Sequence, residues 1–164
     1  MALQSKFLLY AAIVALLGLL GAIFWFGSLD NPELEQVEIE LTNVEVISVN
    51  EIGKTAKLSV TFLIKNPSEK TFTVPLISYK LYAEEDLLGS GQYSTVDIAM
   101  PGRAIFSSGA EIPLKNTFEL DMSDVNNKIY QAVLDDSIDS FRAEGVIVTE
   151  SAWSTIEKEF NSST

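Results

Sequence analysis

The 164-residue chain contains neither cysteine nor histidine. Without cysteine there is no disulfide, no thiol nucleophile and no attachment point for a lipobox lipid anchor. Zinc, haem and iron–sulfur centres lose their commonest ligands, and catalytic triads built on histidine or cysteine are excluded. Positive charge is also scarce. Eleven Lys and Arg face 23 Asp and Glu, for a net charge of −12 and an isoelectric point near 4.3. A surface of that sign repels a phosphate backbone, so nucleic acid is excluded as a partner. No internal repeat and no low-complexity tract occurs, and no motif calls for a cofactor or a small-molecule substrate.

What is present first is one long apolar run. From Phe7 to Phe26 every residue is apolar, aromatic or glycine, and no charge falls between Lys6 and Asp30. Twenty helical residues rise about 30 Å, the thickness of a bilayer hydrocarbon core. Tyr10 and Trp25 stand near its two ends, as interfacial aromatic anchors do. The run is longer than the apolar region of a cleaved signal peptide. Cleavage after Gly27 or Ser28 would place Trp25 or Phe26 where a small residue is required. A pilin-type signal would need an early acidic residue, and the run has none. The reading is a retained signal anchor in the lipid bilayer.

The flanks orient it. Lys6 and the α-amino group lie on the short N-terminal side, while Asp30, Glu33, Glu35, Glu38 and Glu40 open the other. Positive charge stays cytoplasmic, which predicts a cytoplasmic stretch over 1–6, a transmembrane helix over 7–26, a linker over 27–36 and an extracytoplasmic domain over 37–160. Ten basic residues against all 23 acidic ones follow residue 27, so the outer part carries −13. Small residues Ala11, Ala15, Gly18 and Ala22 line one helix face, a candidate packing surface for a partner helix.

Beyond the linker, with Asn31-Pro32 read as a turn, period-two alternation dominates. Val37, Ile39 and Leu41 alternate with polar residues, and the apolar parity shifts near Asn43, which predicts a bulge or a crossing between sheets. Ala56 to Ile64 form a strong half-buried strand ending at Asn66-Pro67-Ser68. Phe72 to Tyr82 follow, with Pro75 predicting an edge strand or a bulge. Glu84-Glu85-Asp86 reads as a hairpin turn, Leu87–Tyr93 as the returning strand, and 110–122 as another strand. Met100-Pro101-Gly102 and Ser107-Ser108-Gly109 read as turns. Ser123 and Asp124 predict the start of a short helix, about 124–134, on the face of Val125, Ile129, Ala132 and Val133. A strand over 141–148 comes next. The polar segment 154–164 is docked by Trp153, Ile156 and Phe160, with a frayed end. Six or seven strands with turn signals between them predict a mainly β protein, an antiparallel β-sandwich with one short helix.

Three segments carry a resemblance. Asn66-Pro67-Ser68 closing a strand, Ile77-Ser78-Tyr79-Lys80-Leu81-Tyr82, and Leu88-Gly89-Ser90-Gly91 resemble the type-2 late-embryogenesis-abundant proteins and their WHy (water stress and hypersensitive response) domain. Phe141-Arg142-Ala143-Glu144-Gly145 corresponds to the family's late glycine-containing strand. The resemblance spans roughly 37–153, with Ser68 where a second asparagine is frequent and only a loose match over 94–109. It implies a sandwich of immunoglobulin or fibronectin-III type and a role in desiccation and osmotic stress. Plant relatives include proteins with one N-terminal membrane helix. The family supplies no catalytic residues; Asn66, Pro67, Tyr79, Leu81, Gly89, Gly91 and Gly145 match its motif as structural positions.

Other groups invite chemistry and meet plainer readings. The acidic clusters Glu84-Glu85-Asp86, Asp121 with Asp124, and Asp135-Asp136-Asp139 lack a calcium-loop pattern and read as solvated turns. No carboxylate pair is singled out for glycoside chemistry, and Ser107-Ser108-Gly109 lacks the nucleophile-elbow frame. Asn161-Ser162-Ser163 fits an N-glycosylation sequon in an outward tail. Tyr79, Tyr82, Tyr93, Phe106 and Trp153 are candidates for a ligand groove, with sandwich core as the bland alternative. The function expected is a membrane-anchored, non-enzymatic stress-protection domain facing outside the cytoplasm. The alternative is an accessory or assembly subunit of a membrane or envelope complex, bound through the helix and a sheet edge.

Overall fold

A computed structural model describes residues 2–28, 31–95 and 104–164. Helix α1 (Ala2–Ser28) is followed by α2 (Asn31–Leu34). Among the described residues eight strands and one further helix follow: β1 (Glu38–Asn50), β2 (Thr55–Lys65), β3 (Phe72–Ala83), β4 (Asp86–Ser94), β5 (Ile105–Phe106), β6 (Glu111–Asp121), α3 (Asn127–Leu134), β7 (Phe141–Glu150) and β8 (Thr155–Ser163). One antiparallel sheet runs β1-β2-β6. The other runs β4-β3-β7-β8, with β5 paired to the start of β3. The protein is a mainly β, two-sheet sandwich, as the alternation predicts.

The core is made by the inward set of each strand. Leu58, Val60, Phe62 and Ile64 of β2 face Ile77, Tyr79 and Leu81 of β3 and Ile147 of β7, all buried. Phe62 anchors the centre, edge-on to Tyr79 at 4.9 Å and to Phe160 at 5.8 Å between ring centroids. Removing a wholly buried phenylalanine ring of this kind costs about 3–5 kcal/mol.

The two irregularities predicted in strands both resolve as bulges. In β1 the register slips between Leu41 and Asn43, leaving Thr42 as the extra residue, and the buried set resumes at Val44. Pro75 lies in β3, which is an interior strand, so the edge alternative is overturned. The β7 ladder is irregular between Thr73 and Leu76, and the β4 ladder reaches only to Leu76. No neighbour therefore needs the N–H that proline lacks, while its carbonyl still accepts from Thr95 N at 3.1 Å.

Three expectations are corrected. The short helix begins at Asn127, not near 124: Asp121 accepts from Ser123 N at 2.8 Å and holds a turn there, and Asn126 takes the capping role through Lys128 N. Its predicted end at Leu134 holds. The stretch 27–36 is not simply a polar linker, because α2 starts at Asn31 with Pro32 in its first turn, and Leu34 and Val37 are wholly buried. The C-terminal segment does not fray. It forms β8, in register with β7 from Glu150↔Thr155 to Arg142↔Ser163, and Thr164 N donates to Phe141 O. The turn read at Met100-Pro101-Gly102 lies outside the described residues.

β8 also closes the sandwich toward β1. Lys158 Nζ donates to the carbonyls of Glu35 at 2.8 Å and Val37 at 2.6 Å, and Ser162 Oγ accepts from Leu41 N at 2.8 Å. The ammonium thus satisfies two carbonyls of the short connection between α2 and β1. α1 is long and apolar enough to cross a membrane, and its residues 6–26 are all exposed.

Candidate functional site

Three of the motif residues, Tyr79, Gly91 and Gly145, meet in one rung of the larger sheet. Gly91, Tyr79, Gly145 and Phe160 stand in register on β4, β3, β7 and β8. Tyr79 turns into the core, and its hydroxyl accepts from Asn116 Nδ2 of β6 at 2.8 Å, linking the two sheets. Burial pushes its phenol up to about 12, against the opposing effect of the Asn116 hydrogen bond. The ring passes under Gly91, where an added Cβ would lie 2.4 Å from Tyr79 Cζ. At Gly145 the obstacle is backbone, because a Cβ would lie 2.0 Å from Ser78 O. Gly89, at φ +145°, lies beneath Phe118, with its ring 3.2 Å from the Cβ position. Leu81 fills the core beside them.

Asn66 is a fully engaged clip. Buried at the end of β2, it donates through Nδ2 to the carbonyls of Lys70 at 2.7 Å and Phe106 at 2.9 Å. Its Oδ1 accepts from Ser68 N and Ser68 Oγ. Its backbone pairs with Ala110 O and Gly109 N. The side chain thereby ties the β2–β3 turn to β5, the backbone of the same residue ties it to the turn after β5, and Pro67 fixes the chain direction between.

On the outer face of the same rung lies an open trough of about 900 Å³. Ser78, Ser90 and Val146 form part of its floor, and Lys80, Glu144 and Glu159 are among its charged lining. Tyr82 Oη donates to Glu144 Oε1, and Arg142 Nη1 donates to Glu144 Oε2 at 2.8 Å. These donors hold the Glu144 carboxyl below its ordinary range, and the Glu144 bond pushes the Tyr82 phenol up. The Arg142 guanidinium also lies 4.1 Å above the Tyr82 ring. Chemically the trough offers hydroxyls, amides and a tied carboxylate, groups suited to hydrogen bonding a polar surface. Asn161 is exposed on β8, in register with Glu144, so the sequon stands on an ordered edge strand and not in a loose tail.

The other candidates are dispersed. Tyr79, Tyr93 and Phe106 belong to the core, Phe106 stacked on Phe72, while Tyr82 lies on the outer face and Trp153 is 75% exposed in the β7–β8 turn. The five aromatics form no common groove. The acidic clusters occupy the end of the sandwich away from α1: the β3–β4 turn, the turn after β6, and the segment after α3. Among the described residues no three Asp or Glu are placed to hold a metal ion. Ala11, Ala15, Gly18 and Ala22 lie on α1, and a Cβ at Gly18 would meet nothing within 4 Å. The pattern of β8 and its clamp by Lys158 were missed from sequence; the one available signal was the alternation of Ile156, Lys158, Phe160 and Ser162 with Glu157, Glu159 and Asn161.

No model of a known protein family matches the chain, and no curated protein matches it. Among solved structures, the fold is similar to that of a protein from Arabidopsis thaliana, with TM-score 0.55 and 13% identity over 77% of this chain and 78% of that one. At that identity the likeness concerns the fold alone. Weaker matches include a protein from Archaeoglobus fulgidus (TM-score 0.49, 10% identity, covering 77% of this chain and 94% of that one). A protein assigned to the late embryogenesis abundant class also matches (TM-score 0.44, 15% identity, 92% and 83%).

Proposed function

We propose that this is a membrane-anchored, non-enzymatic protein of WHy/LEA type 2 character, facing outside the cytoplasm and protecting envelope components during drying or osmotic stress. The observation that carries the anchoring is the condition of α1. Its apolar residues are exposed along the whole of 6–26, and lipid is the environment that covers such a surface without a protein partner. Lys6 on one side and the −13 domain on the other support the orientation. The WHy character rests on the motif residues, whose roles are those of a scaffold: Asn66 clips the β2–β3 turn to β5 and the turn after it, and Gly89, Gly91 and Gly145 admit rings or backbone. The acidic, closed sandwich keeps itself hydrated and repels like-charged copies. The test is protection of a labile enzyme co-reconstituted in vesicles with the full chain, through drying and rehydration. Recovery no better than with α1 joined to an inert protein of equal charge overturns the reading.

A second reading is an accessory subunit of an envelope complex. The small-residue face Ala11, Ala15, Gly18 and Ala22 is exposed, and among the described residues nothing lies within 4 Å of a Cβ placed at Gly18, which suits it to a partner helix. Crosslinking in intact cells, repeated with Gly18→Leu, decides between the two: a stoichiometric partner lost on substitution favours the complex.

A further inference from the structure

We infer that the β7–β8 turn, residues 151–154, seats in the lipid–water interface with Trp153 as a second membrane contact, so that the sandwich is held at a fixed orientation on the bilayer. The inference rests on the membrane reading of α1 proposed above. If residues 7–26 cross the hydrocarbon core, Gly27 is the first residue past it, at the depth where tryptophan is favoured. The Trp153 carbonyl lies 3.7 Å from the Cβ position of Gly27. A small groove is formed there by Ile23, Phe24, Gly27 and Ser28 of α1 together with Trp153 and Ser154. The turn is also fastened to this level, because Ser154 Oγ donates to Asn31 Oδ1 at the start of α2. Trp153 is nonetheless 75% exposed, so its indole faces away from the protein at interface depth.

Two further features suit the turn to that environment. Three of its four backbone donors are paired within it: Ser151 N donates to Ser154 O at 2.8 Å, and Ser151 Oγ accepts from Trp153 N at 3.3 Å and Ser154 N at 3.1 Å. A segment entering a water-poor layer with most of its N–H groups already paired avoids several kcal/mol of desolvation cost per paired group. The neighbouring turns at the same end, 66–71 and 107–110, carry no net charge, and neither does 151–154. Ile105, 62% exposed on β5, projects from that end as well.

The chain holds two tryptophans, Trp25 in α1 and Trp153 in the turn, which makes the test direct. The full chain is reconstituted into phosphatidylcholine vesicles carrying a quencher either near the headgroup or deep in the acyl region. Trp25→Phe leaves Trp153 as the sole reporter, and Trp153→Phe leaves Trp25. The expected result is loss of about half of the Trp153 emission with the shallow quencher, much less with the deep one, and weak quenching by aqueous acrylamide. Trp153 untouched by either lipid quencher while Trp25 is quenched overturns the inference and leaves the anchor standing. If Trp25 is untouched too, the anchor itself fails and the inference falls with it.

Discussion

Gly91 on edge strand β4 and Gly145 on interior strand β7 flank the same tyrosine, and they are glycine for different reasons. At Gly91 the space is taken by the far end of a side chain, the Tyr79 ring. At Gly145 it is taken by the carbonyl and Cα of β3 itself. A ring can be displaced by a rotamer change, whereas a paired backbone cannot move without breaking the ladder that holds the sheet. Two identical letters in one motif therefore encode two constraints of different stiffness.

That difference can be broken by substitution. Gly145→Ala has the largest expected effect: loss of at least about 4 kcal/mol or failure to fold, read by denaturant unfolding of the detergent-solubilised chain. Asn66→Ala leaves the buried Phe106 carbonyl and the Ser68 N–H without their partner and removes one of the two donors to the Lys70 carbonyl, and costs about 3 kcal/mol in the same measurement. Gly91→Ala costs about 1–3 kcal/mol. Its cost shrinks toward zero in a Tyr79→Leu background, where the ring is gone, while that of Gly145→Ala does not. An equal response of both glycines to Tyr79→Leu would falsify the distinction.

The smallest effect at neutral pH is that of Tyr79→Phe, about 1 kcal/mol for the lost Asn116 hydrogen bond. It grows informative in alkali. An exposed tyrosine ionises near 10, and Tyr79 is pushed up to about 12. The neutral phenol is thus favoured by the fold. Its contribution is intact below pH 10 and is lost as pH rises through 12, an amount of about 3 kcal/mol for two pH units. The native chain should lose stability over pH 10–12 more steeply than Tyr79→Phe. Parallel curves would show that the phenol is not held in the core.

How much of this was legible depends on how far the partner lies along the chain. The parity shift at Asn43, the strand from Ala56 to Ile64 and the end of α3 at Leu134 follow from local alternation and propensity, and they were read correctly. β8 was not. Its inward set is Ile156, Lys158, Phe160 and Ser162, half of it polar, because two of those side chains bond to backbone of the α2–β1 segment some 120 residues away. No local pattern announces that a buried-side lysine has carbonyls to meet. The short helix was placed too early for a related reason: Ser123 and Asp124 look like a cap, but Asp121 engages Ser123 first. Of the candidate site, Asn66 and the glycines were legible as special positions. Which atom each one accommodates was not.

By itself the amino-acid sequence determined the long apolar helix, the acidic character of the chain after it and the two-sheet sandwich, because hydropathy, charge and period-two alternation act over neighbouring residues. The tertiary structure alone decided that Tyr79 passes under Gly91, that β3 runs against Gly145, that β8 locks onto β1, and that Trp153 stands at the end of α1. Those contacts join residues far apart in the chain, and their stiffness depends on whether the atom met is a movable ring or a paired backbone.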